Sequence, residues 1–171
     1  MQVTLRSIAI SEIPTLAGTD LFESDENFAG GSLLAIFNRL RSRPDLEAHH
    51  PFVVMDERQA VGFFMLREGT ALPQWAHPRA ISLHNFRINK QSRGRGYGVA
   101  GLVLASQWIA VHRFEIVKLM LSINVENASA YRLYLRCGFK EVGLSFEGRL
   151  GIETVLSCGV SELAAKHVPG Q

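Results

Sequence analysis

The sequence predicts a mixed α/β fold, one sheet with helices on both faces. Three observations predict it. The run Ala60–Leu66 is apolar at nearly every position, as in a strand covered on both sides. Val117 to Val125 alternates, with Val117, Leu119, Leu121, Ile123 and Val125 on one side and Lys118, Met120, Ser122 and Asn124 on the other. Segments of helical period separate the strands, one starting near Gly96 and one at Asn127.

The elements follow in order. Val3 to Ile8 reads as a first strand. Ser11 is placed as an N-cap, with Pro14 in the first turn of a short helix. Residues 18–32 are rich in glycine and serine and carry the acidic run Glu23-Ser24-Asp25-Glu26. Leu33 to Leu40 looks helical, and Pro44 closes it. Pro51–Met55 and Ala60–Leu66 form a hairpin around the polar turn Asp56-Glu57-Arg58-Gln59. Residues 67–80, with Gly69, Pro73 and Pro78, read as a loop. Ile81 to Ile88 is the next strand, and Asn89 to Arg95 a polar, basic loop.

A helix then runs from about Gly96 to His112, with Val99, Leu102, Val103 and Ala110 on one face. After the alternating strand, Asn127 caps a further helix. Its buried face is Ala130, Leu133, Tyr134 and Cys137, at i, i+3, i+4 and i+7, and Gly138 ends it. Two short strands follow, near Lys140–Val142 and Thr154–Ser157. The order is β-α-α-β-β-β-α-β-α-β-β.

The chain of 171 residues suits one domain, taken as 1–171. Apolar residues make up 47% and charged residues 20%, the balance of a packed globular chain. A net charge of +2 is too small to draw the chain to nucleic acid or an anionic membrane. Two cysteines, Cys137 and Cys158, make no disulfide framework at this length. No C-x-x-C or H-E-x-x-H pattern offers a zinc site. The N-terminus lacks the basic start and apolar block of a signal peptide, and no stretch approaches the roughly 20 apolar residues of a membrane span. The expectation is a reduced, cytoplasmic protein with no metal, no nucleic acid and no membrane partner.

The strongest local motif is Gln91-Ser92-Arg93-Gly94-Arg95-Gly96-Tyr97-Gly98, between a strand and a helix. Alternating glycines permit a tight turn and close approach of a bulky group. Amides at a helix start are unpaired, and the helix dipole adds positive charge there. With Arg93 and Arg95 beside them, they suit a phosphate or pyrophosphate. A turn that needs glycine for conformation alone is the plainer reading, but one glycine would serve it. The loop is not a Walker A motif. Gly96-Tyr97-Gly98-Val99-Ala100-Gly101 matches G-x-G-x-x-G, yet a dinucleotide fold places its first glycine almost directly after the strand. That reading ranks lower.

Gln91-x-x-Gly94-x-Gly96 matches the Q/R-x-x-G-x-G/A signature of the GNAT superfamily of N-acetyltransferases. Asn127-x-x-Ala130-x-x-Leu133-Tyr134-x-x-x-Gly138-Phe139 is similar to that family's second motif. Both occur in family order, and the resemblance covers residues 81–142. It implies a splayed, mostly antiparallel sheet of about six or seven strands with acetyl-coenzyme A as cosubstrate in the gap. By that resemblance the backbone of Phe86, Arg87 and Ile88 pairs with the pantetheine arm. The amides of Arg93, Gly94, Arg95, Gly96, Tyr97, Gly98 and Val99 hold the pyrophosphate, and Asn127 contacts the arm. Tyr134 protonates the leaving thiolate. The acceptor implied is a small-molecule primary amine, and the pattern around Leu121 to Asn127 is similar to that of polyamine-acetylating members of the superfamily. The family often dimerises, so a homodimer is compatible with the resemblance.

Acetyl transfer needs a neutral amine, and so a proton acceptor. Some relatives carry a glutamate five residues before the motif asparagine, where this chain has Ser122. His84 is the nearest replacement, since histidine titrates near neutrality. A structural hydrogen-bonded His84 and a water relay stand as alternatives. Tyr134 also reads as a core tyrosine, Asn127 as a cap alone, and Glu126 as a charge at a helix start. The acidic run at 23–26 reads as solvated surface or as a cation-binding element. The functional alternatives are acetylation of a protein lysine or N-terminus, and a non-catalytic acyl-coenzyme A-binding module.

Overall fold

The computed structural model describes residues 2–17 and 27–169. The acidic run Glu23–Glu26 lies outside the described residues. Within them the strands are β1 (Val3–Ser7), β2 (His49–Asp56), β3 (Gln59–Arg67), β4 (Ala80–Ile88), β5 (Lys118–Asn124), β6 (Lys140–Gly148) and β7 (Gly151–Gly159). The helices are α1 (Ile13–Ala17), α2 (Leu33–Leu40), α3 (Tyr97–His112), α4 (Ala128–Cys137) and α5 (Val160–Ala164). The seven strands form one sheet in the order β1-β2-β3-β4-β5-β7-β6. Only β4 and β5 pair in parallel, across the α3 connection; the other neighbours are antiparallel. A doubly wound parallel sheet, which a dinucleotide-binding fold requires, is thereby excluded.

The strand period of two divides the core into layers. Val53, Phe63 and Met65 face Ile13, Leu16, Leu33, Ile36 and Leu40 of α1 and α2. Their chain neighbours Phe52, Val54, Phe64 and Leu66 face the opposite way, toward Leu102, Val103 and Ile109 of α3 and Leu163 of α5. Both faces of β3 are therefore covered, as its unbroken apolar run predicts. Each large side chain so buried contributes about 1.5–3 kcal/mol.

Several local expectations need correction. Ser11 is not an N-cap. A 3₁₀ turn over Ile10–Glu12 precedes α1, and the Ala9 amide donates to Glu12 Oε2 at 2.7 Å. α2 starts where expected, capped by Ser32, whose Oγ accepts from the Ala35 amide at 3.0 Å. Ala110 is exposed rather than on a buried face. α3 is apolar almost all round and is packed by the sheet, by β1 and by α5, so spacing could not single out one face. β6 and β7 run far beyond the short segments expected. A register shift between Glu141 and Ser145 breaks the alternation, and Val142 and Leu144 stay exposed. The short α5 was not foreseen.

Two irregularities of β4 shape the molecule's centre. Its pairing with β5 runs only from Ala80↔Lys118 to Ser82↔Met120; beyond that the strands diverge. In the pairing with β3, Met65 faces His84 and Phe63 faces Arg87, so β4 carries one extra residue. Asn85 takes up that bulge at φ 58°. The bulge resets the side-chain phase. Leu83, Phe86 and Ile88 all join the layer under α3 and α4, while Arg87 turns to the α1–α2 side.

Candidate active site

Past Ser82↔Met120, the facing edges of β4 and β5 have no strand partner. Between them opens a cavity of about 960 Å³. Its walls are β4 from Leu83 to Ile88, β5 from Leu121 to Asn124, the glycine loop, α4, residues 27–30 and the β6–β7 turn.

The loop is built as its composition requires. Gly94 and Gly96 sit at φ 76° and 87°, a region that costs other L-residues roughly 1–2 kcal/mol. Gly96 is the N-cap of α3, so the amides that follow lack intrahelical acceptors. Tyr97, Gly98 and Val99 line the cavity there. At Gly98 the helices pack closely: a Cβ there would lie 2.9 Å from Leu133 Cδ2 of α4 and push that side chain aside. Arg93 lines the cavity, and its Nε donates to the Ile88 carbonyl at 3.0 Å. Arg95 does not form a wall. It is exposed and lies near the Tyr97 hydroxyl, which itself donates to Asp56.

On the opposite wall, Asn127 caps α4 by accepting from the Ala130 amide at 3.3 Å. That bond uses only the side-chain oxygen, and Asn127 also lines the cavity. Tyr134 is 7% exposed, its ring 6.4 Å from Phe86 and 5.5 Å from Phe139. Among the described residues its hydroxyl has no hydrogen-bond partner. Burial, helped by the nearby Cys137, pushes its pKa well above the usual phenol range. It therefore stays protonated at neutral pH.

His84 also reaches the cavity, but its Nε2 lies 2.8 Å from Ser82 Oγ. Desolvation, then the charges of Arg67 and His49, hold its pKa well below the ordinary value. It is neutral at pH 7 and a weak proton acceptor.

Sequence reasoning missed four contributors. The Arg87 guanidinium, 7% exposed, donates to the carbonyls of Ala29 and Gly31 at 2.8 and 3.0 Å. Asn85 Nδ2 donates to Ala29 O at 3.0 Å. Arg149, on the β6–β7 turn, donates to the Asn27 carbonyl. Residues 27–31 are thus fastened to both banks of the cavity. The fourth is Glu153 of β7, whose Oε2 accepts from Ser122 Oγ at 2.6 Å. The partners lie 31 positions apart, and only the β5–β7 register brings them together; no local signal marks the pair.

A profile of the acetyltransferase (GNAT) family matches residues 19–139. The chain belongs to the GNAT acetyltransferase family. It is 25% identical over 113 residues to the uncharacterized N-acetyltransferase YbbJ of Bacillus subtilis, 65% of this chain and 71% of that one. Among solved structures it is similar in fold to the spermidine N-acetyltransferase from Vibrio cholerae in complex with CoA and spermine. The TM-score is 0.68 at 20% identity, covering 95% of this chain and 98% of that one. It is similar also to the aminoglycoside acetyltransferase AAC(6')-Ib in complex with coenzyme A and kanamycin, with a TM-score of 0.73 at 16% identity over 94% and 96% of the two chains. The mixed, mostly antiparallel sheet of this GNAT chain is the fold they share. Among its described residues no helix is long and apolar enough to cross a membrane.

Proposed function

We propose that this GNAT enzyme transfers an acetyl group from acetyl-coenzyme A to a primary amine of a small molecule, within a single domain. The observation that carries the reading is the open β4 edge running into unpaired amides at the start of α3. An extended amide-bearing arm adds to such an edge like a strand, and a pyrophosphate suits such amides. Phe86, Arg87 and Ile88 offer their backbone to the pantetheine arm. Arg93, Gly94, Arg95, Gly96, Tyr97, Gly98 and Val99 offer amides to the diphosphate, with the Arg93 charge alongside. Asn127 uses its spare amide nitrogen on the arm.

The chemistry then falls to groups already in place. Holding the amine in line with the thioester supplies much of the rate. A backbone amide on the unpaired β4 edge polarises the carbonyl. The Tyr134 hydroxyl, with no other partner among the described residues, gives its proton to the departing sulfur. Two fold neighbours were solved with spermine and kanamycin, and both ligands carry several amines, which supports a polyamine-like acceptor. Cys137 and Cys158 are free and buried, in keeping with a reduced, cytoplasmic setting. Thiol release measured with acetyl-coenzyme A and a panel of polyamines, aminoglycosides, lysine peptides and N-terminal peptides tests the reading. Release with small amines is expected. Binding of the thioester without release for any amine would sink it in favour of a binding module.

A further inference from the structure

We propose that Glu153 is the proton acceptor for the amine, held in place by Ser122; the inference rests on the acetyl-transfer reading above. β5 and β7 are antiparallel, with Ser122 opposite Val155 and Asn124 opposite Glu153. Side chains of Ser122, Asn124, Val155 and Glu153 therefore share one face of the sheet. On that face the Ser122 hydroxyl donates to Glu153 Oε2 at 2.6 Å, a short charge-assisted bond. Ser122 and Glu153 both line the cavity. The strand position that lacks a carboxylate in sequence thus receives one from the next strand.

The surroundings keep the carboxylate in that position. A Cβ on Gly148 of β6 would lie 2.5 Å from Glu153 Oε1, so any larger residue there would displace it. Phe146 of β6 pairs opposite Glu153 and is half-buried. The Ser122 bond occupies one carboxylate oxygen; the structure gives Oε1 no hydrogen bond among the described residues. The other titratable or charged groups on the cavity are His84 and Arg87 on β4, Arg93 in the loop, Tyr97 at the start of α3, Arg149 on the β6–β7 turn, Arg136 and Tyr134 on α4, and Glu126 just before it. Arg149 and Arg87 are engaged with backbone carbonyls of residues 27–31. His84 is neutral and hydrogen-bonded, Glu126 is exposed, and Tyr134 holds its proton. Glu153 is the half-buried carboxylate among them.

The step balances as follows. The alkylammonium binds at Glu153, its N–H bond breaks, and the proton passes to Oε1 and then to water. The nitrogen lone pair forms the C–N bond while the carbonyl π pair moves to oxygen. On collapse the C–S bond breaks, its electron pair leaves on sulfur, and Tyr134 supplies the sulfur's proton. The second proton lost from nitrogen leaves through solvent and restores the Tyr134 hydroxyl. One proton is released to water per turnover.

The test is the pH profile of kcat/KM for E153Q and S122A with the best amine from the panel. A missing base matters most where the amine is protonated. E153Q is expected to lose about 10²–10³-fold at pH 7. The deficit should shrink about tenfold per pH unit as free amine accumulates, with coenzyme A affinity unchanged. S122A should lose about tenfold with the same pH trend. A wild-type-like E153Q, or a deficit of equal size from pH 7 to 9.5, overturns the assignment alone. A wild-type protein that acetylates no amine overturns it together with the reading on which it rests. Circular dichroism and coenzyme A binding by E153Q separate loss of folding from loss of the proton acceptor.

Discussion

Arg87 on β4 donates through its buried guanidinium to the Ala29 carbonyl at 2.8 Å, joining the middle of the sheet to the segment before α2. Replacing Arg87 with Met removes this bond and the one to Gly31. Among the described residues the carbonyl of Ala29 then keeps Asn85 alone as donor. A loss of about 2–4 kcal/mol in unfolding free energy is expected, as for a buried charge-assisted network. Residues 27–30 wall the cavity, and if the acceptor enters against them, KM for the amine should rise about tenfold. The coenzyme A dissociation constant should hold. Urea denaturation and initial-rate kinetics check both.

Tyr134→Phe separates packing from chemistry. The ring contacts with Phe86 and Phe139 survive, and no hydrogen bond is lost. Thermal stability should equal that of the parent, because the packing of the ring is unchanged. The rate of thiol release should fall about 10²-fold with KM little changed. A core tyrosine without chemistry would give a wild-type rate.

Gly96→Val strikes the loop twice. The residue sits at φ 87°, where a β-branched side chain is strained, and its Cβ would come within 3.2 Å of Pro169. Stability should fall by about 1–3 kcal/mol. Coenzyme A affinity, measured by calorimetry, should drop more than tenfold as the amides lose their aim.

The histidines make the fold acid-sensitive. Desolvation holds the pKa values of His49 and His84 below the ordinary value. Above about pH 6.5 both are neutral, folded or unfolded. Below it the unfolded chain takes up protons that the folded chain refuses, so stability falls as pH drops toward the folded values. Each group can cost up to about 1.4 kcal/mol per pH unit in that window. His84→Gln should flatten the decline between pH 7 and 5, measured by urea denaturation. An unchanged slope would show that His84 does not contribute to it.

Both ends of α4, the glycine loop and the β5 alternation were legible in the chain because each rests on local chemistry. Asn127 and Gly138 act within four residues of themselves. What escaped depends on register. Arg87 reads as a strand residue with backbone to offer; only the bulge at Asn85 turns its side chain toward Ala29. Ser122 reads as the loss of a carboxylate, since its partner Glu153 arrives from another strand. β6 was underestimated because nearly all of it is exposed, and β7 because its first three residues stay out of the core, so neither leaves an apolar period there.

The inserted residue in β4 gives neighbouring side chains different audiences. Phe86 and Ile88 belong to the layer under α3 and α4, whereas Asn85 and Arg87 hold the wall formed by residues 27–31, which on the proposed reading the acceptor meets. Substitutions at 85 and 87 can therefore retune acceptor preference while the donor-facing surface stays intact. A single deletion in this stretch would exchange the two roles and spoil both.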